Sequence, residues 1–69
     1  MRVLLAEDNA SLARATATIL TKSGLEVERA ADGGEALSML RGGFYDVAVL
    51  DIMMPVMDGL EVLRSIRAE

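Results

Sequence analysis

The 69-residue chain contains no cysteine, no histidine and no tryptophan, and only one proline. Without cysteine there is no disulfide, no thiolate metal site and no thiol nucleophile. Without histidine the commonest general base and the commonest zinc ligand are missing. Any metal is therefore held by oxygen, which favours magnesium, calcium or manganese. Basic residues are few as well. Seven Lys and Arg stand against eleven Asp and Glu, for a net charge of −4, which argues against direct nucleic-acid binding. No apolar run approaches the length of a membrane span, so no membrane partner is expected. Met1 to Ala6 carries one positive charge and a short apolar run, but Glu7 and Asp8 follow at once and no small-residue cleavage pattern appears. This start reads as the opening strand of a cytoplasmic protein. The length allows one small domain, near the size at which burial alone is marginal.

What is present is organised around Tyr45 to Pro55. Val47 to Leu50 is an unbroken apolar run, short and rich in branched side chains. It reads as a strand buried on both faces, as in a parallel sheet. The run ends at Asp51, and Pro55 follows shortly after. A parallel strand that stops at an acid delivers it to the rim where open α/β folds place their chemistry.

The rest of the chain supplies the partners of that strand. Val3 to Ala6 is a second short apolar run, ending in Glu7-Asp8-Asn9. Asn9 or Asp8 can cap a helix from about Ala10 to Ser23, with Leu12, Ala15, Ile19 and Leu20 as its inward stripe and Gly24 as its stop. Leu25 to Ala30 alternates apolar with charged and so belongs at a sheet edge. Asp32-Gly33-Gly34 reads as a turn before a short helix, Glu35 to Arg41, whose inner face is Ala36, Leu37 and Leu40. Asp58-Gly59-Leu60-Glu61 has capping-box spacing and opens a last helix to about Arg67, with Leu60, Leu63 and Ile66 inward.

Strand and helix alternate three times, which predicts an α/β fold of βαβαβα topology with a three-stranded parallel sheet. Right-handed crossovers with the first strand in the middle give the order 2-1-3. The first and third strands are then neighbours, and Glu7, Asp8 and Asp51 meet where the connections diverge.

Three carboxylates this close repel one another unless they hold a proton or bind a cation. A hard divalent ion suits them, and it can bridge to a phosphoryl group while a carboxylate attacks phosphorus. The plain structural alternative is that acids near helix starts are caps, and Asp32 and Asp58 belong in that class. Met53 and Met54 read as loop packing through their side chains. It is the convergence of Asp51 with Glu7-Asp8 that favours a site.

Glu7-Asp8-Asn9, Ala31-Asp32-Gly33-Gly34-Glu35-Ala36-Leu37 and Asp51-Ile52-Met53-Met54-Pro55-Val56-Met57-Asp58-Gly59 together resemble the first part of a response-regulator receiver domain from two-component signalling. The resemblance covers the whole chain. It implies a flavodoxin-like receiver fold, with Asp51 as phospho-acceptor. It also implies Mg2+ held by Asp8, Asp51, the backbone carbonyl of Met53 and, through water, Glu7. The implied partner is a sensor histidine kinase or phosphotransfer protein, and the implied chemistry is at most phosphotransfer and autodephosphorylation at Asp51.

Receiver domains similar to this chain continue through two further strand–helix units, which carry a Ser or Thr and a Lys at the phosphoryl group. The expectation is therefore an incomplete receiver domain over residues 1–69, truncated and impaired in phosphotransfer. The third strand becomes an exposed edge, and homo-oligomers formed through that edge are expected. The alternative is a non-catalytic assembly fragment whose acidic pocket is idle. Two other classes fit worse. A flavodoxin-type nucleotide binder needs a neutral phosphate loop where Glu7-Asp8 stands. A haloacid-dehalogenase-type phosphatase needs a second acid where Met53 stands.

Overall fold

The computed structural model describes residues 1–51, 54 and 56–68. Its elements run β1 (Arg2–Ala6), α1 (Ala10–Lys22), β2 (Glu26–Ala30), α2 (Gly33–Gly42), β3 (Val47–Leu50) and α3 (Gly59–Arg67). The sheet is parallel throughout, in the order β2-β1-β3. Alternation, topology and strand order are those expected from the sequence.

Each helix begins where a short polar side chain can accept a free N–H. Asn9 accepts from the Leu12 N–H, Asp32 from Glu35 and Asp58 from Glu61. In α3 the Glu61 side chain also accepts from the Asp58 N–H, which completes a capping box. After α1, Gly24 takes a φ of +90°, the left-handed conformation that glycine adopts without a steric cost.

The two faces of the sheet are covered unequally. Leu4, Ala6 and Ala30 pack with Ala36 and Leu37 of α2 and Val62 of α3, and this cluster is the core. Val3 and Leu5 point to the other face of β1 and are buried too. There α1 lies on β1 and β2, contributing the buried Ala13.

Several expectations about packing are corrected here. The inward stripe expected of α1 does not form: Leu12 and Ile19 are 53% and 65% exposed, and the smaller Ala13 makes the close approach. In α3 it is Val62 that is buried, whereas Leu60 and Leu63 are exposed. Helices α2 and α3 pack on one another as well as on the sheet, and this rotates α3 toward Val62 and Ile66. β3 is not buried on both faces: Val47, Ala48 and Val49 are exposed, because β3 is the sheet edge and α1 packs on the other two strands.

Asp32-Gly33-Gly34 is not a free turn either. Asp32 is the cap, and Gly33 and Gly34 are already helix. Gly33 is required by space, since a Cβ there would stand 1.5 Å from the Met57 carbonyl oxygen. Met54 packs against the core as expected, whereas Ile52, Met53, Pro55 and Glu69 lie outside the described residues.

Candidate functional site

The carboxyl ends of β1 and β3 lie side by side because the ladder between them runs on past the strands. The Asp51 N–H donates to the Ala6 carbonyl at 3.0 Å, and on the other side the Glu7 N–H donates to the Ala30 carbonyl at 3.1 Å. These bonds set Glu7 and Asp51 on adjacent strand ends, with Asp8 one residue further along the β1–α1 corner. One carboxylate oxygen from each of Glu7, Asp8 and Asp51 lies within 4.8 Å of the other two. Glu7 and Asp51 are half-buried and Asp8 is exposed. The structure thus brings together the three acids singled out from the sequence. Met53, whose carbonyl the resemblance adds to the set, lies outside the described residues. Asp32 and Asp58 serve their helices as caps.

The corner that presents these acids is held by its own hydrogen bonds. The Asn9 N–H donates to Oε1 of Glu7 at 3.1 Å, while Asn9 Oδ1 accepts from Leu12 at 3.0 Å. From β2, the Arg29 guanidinium reaches across to the main chain. Its Nε and Nη2 donate to the Glu7 carbonyl at 3.1 and 2.9 Å, and Nη2 also donates to the Asp8 carbonyl at 3.3 Å. Arg29 was not singled out from the sequence, though a signal was there. It occupies an apolar-phase position, in line with Leu25 and Val27, at the end of the strand beside the acidic corner.

Three hard oxygen donors at this spacing fit a divalent cation such as Mg2+, which accepts one or two carboxylates and keeps several waters. They would repel an anionic ligand that came without a cation.

A second polar cluster lies toward the amino end of the sheet. Arg2 pairs with the Glu28 carboxylate, which also accepts from the Tyr45 hydroxyl at 2.6 Å. The Arg2 guanidinium lies 5.0 Å from the Tyr45 ring centroid, and the main-chain N–H of Arg2 donates to the Asp46 carboxylate at 2.8 Å. The Tyr45 hydroxyl, then the Arg2 guanidinium, hold the Glu28 carboxyl below the usual carboxylate range. The bond to Glu28 in turn raises the Tyr45 phenol. This cluster satisfies its charges internally and offers no set of open ligands.

Comparison with known proteins places this geometry in context. The family model described as the response regulator receiver domain matches residues 3–69. The transcriptional regulatory protein DltR of Streptococcus agalactiae is 42% identical over 67 residues, 97% of this chain and 30% of that protein. The receiver domain of the Francisella response regulator 1452 superposes with a TM-score of 0.95 at 37% identity, over 97% of this chain and 55% of that one. The response regulator TrrA of Thermotoga maritima, in complex with Mg2+ and BeF, superposes with a TM-score of 0.93 at 37% identity, over 97% and 58%. TrrA has also been solved with the histidine kinase ThkA, and there the TM-score is 0.91 at 37% identity, over 99% and 59%. The chain thus spans under a third of the length of the curated relative and somewhat more than half of each solved chain. Among the described residues no helix is long and apolar enough to cross a membrane.

Proposed function

Since the chain belongs to the response regulator receiver domain family, we propose that it is a phospho-acceptor module of two-component signalling, with Asp51 as the acceptor. The observation that carries this is the meeting of Glu7, Asp8 and Asp51 carboxylate oxygens within 4.8 Å at adjacent strand ends. In this reading an Asp51 carboxylate oxygen attacks the phosphorus of a phosphohistidine. The new O–P bond forms as the P–N bond breaks, and the imidazole leaves with a proton. Asp8 and Asp51, with the Met53 carbonyl, would hold Mg2+ directly, and Glu7 through water. When bound, the ion supplies charge neutralisation and a template for the phosphoryl oxygens.

The donor is a sensor histidine kinase or phosphotransfer protein in the cytoplasm, a partner supported by the similarity to TrrA, which has been solved with ThkA. The one lysine of the sequence, Lys22, closes α1, some 18 Å of helix from the acidic end. Within these 69 residues no lysine meets the transferred charge, and transfer by the chain alone is impaired.

The β3 edge carries a second part of the proposal. Val47 and Val49, 42% and 43% exposed, lie on β3, itself an outer strand of the sheet, which favours pairing with a second copy. A compact folded monomer in sedimentation at low micromolar concentration would count against that pairing.

The phospho-acceptor role is tested with beryllofluoride and acetyl phosphate in the presence of Mg2+, read by fluorine resonance and intact mass. An adduct in the wild type that is lost in Asp51→Asn is the expected result. No adduct, or one retained in Asp51→Asn, favours a non-catalytic assembly fragment with an idle pocket.

A further inference from the structure

We infer that Arg29 is a positioning residue for the acidic site, acting on the peptide that links Asp8 to Asn9. The inference rests on the reading of that site as a Mg2+ site and adds a residue that touches none of its carboxylates in the bonds described. β2 stands next to β1 with Arg29 level with Leu5, so the side chain has only to reach forward past the strand end. It delivers two bonds to the Glu7 carbonyl, at 3.1 and 2.9 Å, and a third to the Asp8 carbonyl at 3.3 Å. All three end on main-chain oxygen.

The consequence follows from the planarity of the peptide unit. The Asp8 carbonyl and the Asn9 N–H belong to one rigid plane, and that N–H donates to Glu7 Oε1 at 3.1 Å. Holding the oxygen therefore fixes where the N–H points, and donation to the oxygen polarises the N–H on the far side. The same corner places Asn9 Oδ1 on the Leu12 N–H at 3.0 Å, which starts α1. One guanidinium thus sets the Glu7 carboxylate and the helix cap through a neutral peptide. Lysine cannot replace it, because an ammonium lacks the planar fork that spans two carbonyls.

Position and charge predict opposite results, so they can be separated. A cation beside three carboxylates competes electrostatically with a metal ion. If Arg29 acted only through its charge, Arg29→Met would bind Mg2+ more tightly and Arg29→Lys would match the wild type. As a positioning residue, both variants bind Mg2+ about tenfold more weakly. That is the lower end of outer-shell effects, since the guanidinium is exposed.

The experiment is a calorimetric Mg2+ titration of the full chain as wild type, Arg29→Met, Arg29→Lys and Asp51→Asn. The Asn9 amide resonance is followed without metal, and far-ultraviolet circular dichroism checks the fold. The expected result is weaker binding in both Arg29 variants, with the Asn9 amide proton moved upfield as its bond to Glu7 loosens. Should Arg29→Met unfold, Arg29→Lys, which keeps charge and most of the stem, decides the question. Tighter binding in Arg29→Met, or wild-type affinity with an unmoved Asn9 amide in Arg29→Lys, overturns the inference alone. No Mg2+ binding by the wild type overturns the reading of the site, and the inference with it. A wild-type titration matched by Asp51→Asn removes Asp51 from the site while leaving the Arg29 comparison standing.

Discussion

The two ends of the sheet handle charge in opposite ways. At the amino end, Arg2, Glu28, Tyr45 and Asp46 join donor to acceptor, and both Glu28 and Asp46 have partners of the right kind. At the carboxyl end three acids crowd within 4.8 Å, while the neighbouring cation, Arg29, is bonded to main-chain carbonyls. The carboxyl end is also the tighter in its backbone. Gly33 has no room for a Cβ against Met57, and Val56 holds a left-handed φ of +70°. A fold chosen only for stability would avoid like charges, tight backbone crossings and a strained β-branched residue in one place. Their concentration at the end that bears Asp51 marks it as the candidate site, and the amino end has its acids paired instead.

The contrast can be broken or sharpened by experiment. The largest expected effect is at Gly33. A Cβ placed 1.5 Å from a backbone oxygen forces main chain to move, so Gly33→Ala is expected to lose about 3 kcal/mol in urea unfolding. That is a large share of what a domain this small possesses. An unchanged midpoint would mean that the two backbones are free to separate.

Next comes the response to cation. At roughly tenfold excess over a Kd of about 1 mM, Mg2+ is expected to raise stability by about 1.4 kcal/mol. The gain is absent in Asp51→Asn, as thermal unfolding with and without the ion reads directly. A third test concerns the strained loop. Val56→Asn, which tolerates a left-handed φ, is expected to add about 1 kcal/mol in the same unfolding assay. No gain there would mean that the strain is not stored at this residue.

The smallest effect belongs to the amino end and is read in pH. Glu28 has a lowered folded-state pKa, so its contribution is present above the ordinary carboxylate range and is lost as pH falls through the lowered value. Tyr45 is the mirror case: its raised value favours the fold below the ordinary phenol range and is lost as pH rises past it. Tyr45→Phe removes the largest cause of the Glu28 shift, and the Glu28 midpoint in a carboxyl carbon resonance titration then moves up. Mg2+ leaves that midpoint unchanged if the two ends are independent.

Much of the carboxyl end was legible in the chain itself. Short apolar runs that stop at Glu7-Asp8 and at Asp51, with two helices and one strand between them, leave little freedom in where those acids go. The caps were nearly as plain, with Asn9 or Asp8 left open for α1 and Asp32 and Asp58 for the others, because the local hydrogen bonding of such side chains does not depend on distant contacts. The inward residues of the outer helices were not. Leu12 and Ile19 form an apolar stripe whatever lies over them, and the pattern does not say that α1 settles on β1 and β2 with Ala13 innermost. In α3 the largest apolar side chains suggested Leu60 and Leu63, but contact with α2 selected Val62.

The sequence by itself determined the element order, the starts of α1 and α3, the parallel sheet and the three acids that share its rim, because each depends on local periodicity, capping or chain connectivity. Only the tertiary structure decided that Arg29 grips the Glu7–Asp8 main chain, that Gly33 lies under Met57, and which side of α1 and α3 is buried. These depend on residues far apart in sequence approaching within a few ångströms, and no local pattern carries that distance.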